Sequence, residues 1–161
     1  DLSTITLPTT QMTGLTTAAS FILNAGRVST INNTSKLGSL TSTPLVSFAT
    51  NTGANLVTSL SFSCPMSVLT LNGTSTTTNF NKLSSLRLLN TSTGQWTGTS
   101  PQINISYCDM STAALNTLFA DMAAQGTVTS KTINITSCTG AAGLTAANRL
   151  VITSKGWTIV G

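Results

Sequence analysis

Ile103-Asn104-Ile105-Ser106-Tyr107-Cys108 returns thirty positions later as Ile133-Asn134-Ile135-Thr136-Ser137-Cys138. Each copy alternates apolar and polar residues, the period of a strand with one face toward a core. A helix-like stretch and then a glycine follow each copy. Strands joined by crossover helices must run parallel, with right-handed connections. Repetition at a fixed period marks a solenoid, in which each unit buries its apolar face against the next. The expected spine is Leu86, Leu88, Ile103, Ile105, Ile133 and Ile135.

Downstream of the first copy, Ser111 or Thr112 can cap a helix whose apolar stripe is Ala114, Leu115, Leu118, Phe119 and Met122. Asp109 suits the positive end of that helix dipole, and Gly126 ends the unit. After the second copy the expectation is a turn through Gly140 and Gly143, then a helix through Ala147, Leu150 and Val151. Lys155 and Gly156 fit its C-terminus. Trp157-Thr158-Ile159-Val160 reads as a strand, with Trp157 packing on Leu150 or Val151.

Upstream, Leu56 to Phe62, Val68 to Leu71 and Leu83 to Asn90 are short strand patterns separated by Gly, Asn and Thr turns. They favour coils of a β-rich solenoid or a small sandwich. Residues 1–50 are the least regular part. Leu2, Ile5 and Leu7 suggest a short strand stopped by Pro8, residues 15–25 one weak helix before Gly26, and Ser29 to Thr43 a loop. The expected organisation is an N-terminal arm or capping segment over 1–50 and a solenoid domain over 51–161. The expected class is α/β to mainly β, with parallel strands and short crossover helices at the C-terminal end.

Composition narrows the function. Charged residues make up 6% of the 161, against roughly 25% in ordinary soluble chains. A surface so weakly protected by charge repulsion invites association. The mean hydropathy is +0.27, yet no apolar run is long enough to span a bilayer. The net charge of +4 is seven cations, scattered singly, against three aspartates, and the excess is read as solvating charge. Nucleic-acid binding wants a clustered basic face, so no nucleic-acid partner is expected. Cys64, Cys108 and Cys138 are an odd count with no C-x-x-C pair. Cys108 and Cys138 occupy equivalent places in the repeat and read as small buried hydrophobes, a stacked disulfide being the alternative.

Chemistry finds little to use. Asp109 and Asp121 are the carboxylates of the patterned region, twelve residues apart, read as a helix-start residue and a solvated helix position. A serine or cysteine nucleophile wants a base, and the chain has neither His nor Glu. Phosphate-loop and calcium-loop patterns are absent from the sequence. No catalytic residue, cofactor or metal is therefore expected, and the chain is read as a non-enzyme. Asn104 and Asn134 stand in Asn-x-Ser/Thr sequons, read as an exposed polar ladder rather than glycan acceptors. Trp96, in the loop Thr93-Gly94-Gln95-Trp96-Thr97-Gly98, either anchors a partner or a sugar, or folds back on the flank.

Leu83-x-x-Leu86-x-Leu88 resembles the start of a leucine-rich repeat, and Ile103-x-Ile105-x-x-Cys108 and Ile133-x-Ile135-x-x-Cys138 resemble its second half. In that family the final Asn or Cys is buried at the turn and bonds free backbone groups. Asn90 and Cys64 fall one residue early for that spacing. Residues 102–161, closing on Lys155-Gly156-Trp157-Thr158, are similar to leucine-rich-repeat-like modules of phage virion and bacterial surface proteins. The resemblance implies a non-enzymatic virion component, a decoration, head-fibre or tail-associated protein on the virion surface. Its partners would be virion structural proteins and its own copies, with Trp96, Leu2, Ile5 and Leu7 as candidate contact residues. The alternatives are an extracellular or cell-surface adhesin for protein or glycan, and a filament subunit donating its Asp1–Leu7 strand to a neighbour.

Overall fold

The computed structural model describes residues 4–6, 20–22, 30–32, 45–47, 58–62, 68–71, 82–89, 102–124 and 131–161. In chain order these form β1 (Thr4–Thr6), β2 (Ser20–Ile22), β3 (Thr30–Asn32), β4 (Leu45–Ser47), β5 (Ser59–Phe62), β6 (Val68–Thr70), β7 (Ser85–Leu88) and β8 (Gln102–Asn104). There follow α1 (Thr112–Ala124), β9 (Lys131–Asn134), a 3-10 turn (Ala141–Gly143), α2 (Ala146–Thr153) and β10 (Trp157–Val160).

The architecture is mixed α/β, and every strand pair among the described residues is parallel. One six-stranded sheet runs β10-β9-β8-β6-β4-β2, and two smaller sheets pair β1 with β3 and β5 with β7. From β2 onward the large sheet takes every second strand or helix of the chain. The places between are filled by β3, β5, β7, α1 and α2 in turn. As the crossover expectation has it, α1 joins β8 to β9 and α2 joins β9 to β10.

The thirty-residue repeat is a strand register. Ile103 lies opposite Ile133 and Asn104 opposite Asn134, with Leu69 beside Ile103 and Ile159 beside Ile133. In the β5–β7 pair Leu60 meets Leu86 and Phe62 meets Leu88. The six expected spine residues are all buried, none above 1% exposed. Backbone bonding continues past the strand ends: Leu71 N–H donates to Asn104 O at 2.7 Å, Ile105 N–H to Asn134 O at 3.0 Å and Ile135 N–H to Val160 O at 2.9 Å. Burying apolar side chains stabilises the fold by about 25 cal/mol per Å² of apolar surface removed from water. The backbone ladder lets the polar main chain enter the same interior without unsatisfied groups.

α1 forms as its spacing predicts. Ser111 Oγ accepts the Ala114 N–H at 3.2 Å, satisfying one free donor of the first turn. Leu115, Leu118, Phe119 and Met122 are buried, with Ala114 partly so. α1 lies against β7 on one side and α2 on the other, so the helices continue the layer begun by β5 and β7. α2 starts with a reciprocal cap: Asn148 N–H donates to Thr145 Oγ1 at 3.2 Å, and Thr145 N–H donates to Asn148 Oδ1 at 2.9 Å.

The expectations for α2 and for residues 15–43 are corrected. The inward residue of α2 is Ile152; Ala147 is exposed, and Leu150 and Val151 are 62% and 41% exposed. Three consecutive apolar residues, Leu150-Val151-Ile152, offer the core more than one helix face, so spacing does not choose among them. Trp157 is buried in the main core. Within 15–25, Ser20–Ile22 is strand β2, not helix, and the stretch read as loop contains β3. Three-residue strands are too short for alternation to show, and pairing overrides local preference. In the large sheet β4 pairs with β6.

Candidate functional site

The two copies of the repeat build matching turns beyond β8 and β9. Asn104 Oδ1 accepts from Ser106 N–H at 3.1 Å and Ser106 Oγ at 2.9 Å; Asn134 Oδ1 accepts from Thr136 N–H at 3.0 Å. The Asn pair thus sits in register, as the ladder expectation has it, but each side-chain oxygen serves its own turn. Tyr107 and Ser137 follow in the left-handed region, at φ 59° and 58°. That conformation turns the chain so that Cys108 and Cys138 point inward.

Both thiols are free and buried. Cys108 Sγ donates to Leu71 O at 3.3 Å and Cys138 Sγ to Ile105 O at 3.0 Å, each thiol bonding a carbonyl one strand along the sheet. Burial pushes the Cys138 thiol up to about 11, against a smaller opposing pull from the Cys108 backbone. The native state therefore holds a proton that the unfolded thiol releases near pH 9. Stability from this group is complete below that pH and is lost as pH rises toward the folded value. Urea midpoints are expected to fall between pH 9 and 11, and to fall less in Cys138→Ala. Equal slopes for both proteins would remove Cys138 from the account.

Lys82, Tyr107, Cys108, Asp109, Ser137 and Thr139 line a cavity of about 230 Å³ at these turns. Asp109 is not on α1, whose first turn holds no acid. It lies in the turn, where Thr139 Oγ1 donates to Asp109 Oδ1 at 2.9 Å. Just beyond these residues the two turns approach closely: Gly140 N–H donates to Met110 O at 2.7 Å, and Thr112 Oγ1 donates to Gly140 O at 2.9 Å.

Asp121 is not a solvated helix position. Arg87 grips it with two bonds, Nε to Oδ2 at 2.7 Å and Nη2 to Oδ1 at 3.0 Å, and the carboxylate side chain is 12% exposed. Asp121 Oδ2 also accepts the Leu88 N–H at 3.0 Å. That N–H belongs to β7, whose strand partner among the described residues is β5 alone. The carboxylate therefore closes a sheet edge where a helix replaces a strand. Asp121→Ala is expected to cost about 1–3 kcal/mol, because it strands a backbone donor as well as an exposed cation. Asp121→Asn keeps an acceptor for Leu88 and should cost less. Urea unfolding that places both variants at the parent midpoint would reject this role.

Arg149 donates to Gly161 O at 2.9 Å, and Lys131 is buried at the start of β9, where desolvation lowers its ammonium. Arg87 and Arg149 thus tie separate parts of the fold together rather than simply solvating it. Ile5 lies in β1, opposite Ile31 of the chain's own β3. Trp96, Leu2, Leu7 and Cys64 lie outside the described residues. Of the expected contact residues, Ile5 alone is among the described residues. The residues it does assemble, Lys82, Tyr107, Asp109, Ser137 and Thr139, were missed as a group. The thirty-residue offset was the available signal, since it places 107 beside 137 and 109 beside 139.

Among the described residues no group of three metal-ligating side chains forms, and no helix is long and apolar enough to cross a membrane. Compared with family models, curated proteins and solved structures, the chain gives no match.

Proposed function

We propose that this chain is a non-enzymatic structural protein of a virion, working through protein–protein assembly, and that its strands are successive coils of a leucine-rich-repeat-like solenoid. The observation that carries the reading is the alternation of elements: every second one enters a single parallel, in-register sheet. Stacked coils make long regular surfaces suited to assembly. The buried Cys108 and Cys138, each bonded to a neighbouring carbonyl, behave as the repeat resemblance implies. The virion setting rests on the resemblance of residues 102–161.

The contact surface proposed is the β10 end. Among the described strands β10 bonds β9 alone, and Leu150, Val151 and Val160 stand 62%, 41% and 46% exposed there. An open strand edge beside exposed apolar groups is a template for association. β1 is engaged with β3, so strand donation from the N-terminus is not the route proposed. Light scattering over a concentration series tests this. The parent should form a defined oligomer, and Leu150→Asp should be a monomer with an unchanged unfolding midpoint. A parent that stays monomeric throughout, or a variant that assembles equally well, would overturn the reading.

A further inference from the structure

We infer that the cavity beyond β8 and β9 is a binding site for a single neutral sugar ring. Its volume of about 230 Å³ falls below the roughly 300–1,000 Å³ of drug-sized pockets, which suits one ring and not an oligosaccharide buried whole. Its walls come from two successive turns and from Lys82, which precedes β7. Parallel strands β8 and β9 both end at it, so the turns are held by the sheet rather than by the ligand.

The lining matches a polyhydroxyl ligand better than an ion. Lys82 and Asp109 contribute one charge of each sign, so neither an anion nor a cation meets a net complement. Hydroxyls can use both, donating to the carboxylate and accepting from the ammonium. Asp109 is already oriented by Thr139 through Oδ1. Its Oδ2 has no protein donor among the described residues. Ser137 and Thr139 add hydroxyls, and Tyr107 supplies an aromatic wall for the apolar face of a ring. Tyr107 and Ser137 both hold left-handed backbone at the cavity rim, at φ 59° and 58°. Such strained positions gather at ligand clamps. This inference does not depend on assembly at β10.

Amide-resolved NMR titration of the full chain with D-glucose, D-galactose, N-acetyl-D-glucosamine and L-rhamnose, each alone, tests it. At least one sugar should give saturable shifts confined to residues 82, 107–109 and 137–139, with a dissociation constant in the millimolar range. Lys82 and Asp109 are exposed, so Lys82→Ala and Asp109→Asn should leave the remaining spectrum in place. Each should weaken binding about tenfold or more. Absence of saturable shifts with all four sugars, or binding that survives both substitutions, would overturn the proposal.

Discussion

Gly140→Ala is expected to lower the free energy of unfolding by about 3 kcal/mol or more, the upper end for overpacking a tight interior. A Cβ built on Gly140 overlaps the backbone nitrogen of Thr112 and the carbonyl carbon of Ser111. Neither atom belongs to a side chain that can rotate away. Relief must come from separating two main-chain segments. That movement would break the Gly140 N–H bond to Met110 O and the Thr112 Oγ1 bond to Gly140 O. It would also shift Ser111, whose Oγ caps α1. Gly143→Ala is the internal comparison. Its Cβ meets Thr112 Oγ1, a side-chain atom that can turn at the cost of one hydrogen bond, about 1 kcal/mol. Urea denaturation of the three proteins gives the ranking directly. If Gly140→Ala unfolds within about 0.5 kcal/mol of the parent, the close approach of the two turns is wrong.

Ile133→Ala is expected to cost about 2–5 kcal/mol, the range for emptying a fully buried aliphatic site. Ile133 is 0% exposed and has register partners on both sides, Ile103 and Ile159. Its loss leaves a void inside a sheet that hydrogen bonds hold at a fixed strand spacing, so neighbours can collapse only a little. Ile159 is half-buried on β10, where solvent can fill the space, and Ile159→Ala should cost clearly less. Thermal and urea unfolding of both variants provide the check. Equal losses at the two positions would mean that β10 is as enclosed as β9, contrary to the exposure of its flank.

The Ile103–Ile133 register was legible because Ile-Asn-Ile repeats, and in-register parallel strands place equal residues opposite one another. α1 was legible because capping and five apolar residues agreed at helical spacing. The face of α2 was not, since Leu150-Val151-Ile152 is apolar without interruption. The first fifty residues hid their strands because three residues make no pattern. Asp121 gave no local sign of its role, because Arg87 lies 34 positions upstream. The cavity joins residues from three separate stretches, and only two of those are related by the repeat.

The exchange of strand for helix after β7 has a geometric consequence. Strands β8, β9 and β10 are spaced about 4.8 Å apart, whereas packed helices such as α1 and α2 stand about 8–10 Å apart. One layer must therefore widen faster than the other. Strands on one side and helices on the other favour a wedge that opens on the helix side, beginning at the Arg87–Asp121 junction. The residues of these strands that alternate away from the core, Gln102, Asn104, Thr132, Asn134 and Thr158, then form one polar face on the sheet side of that wedge.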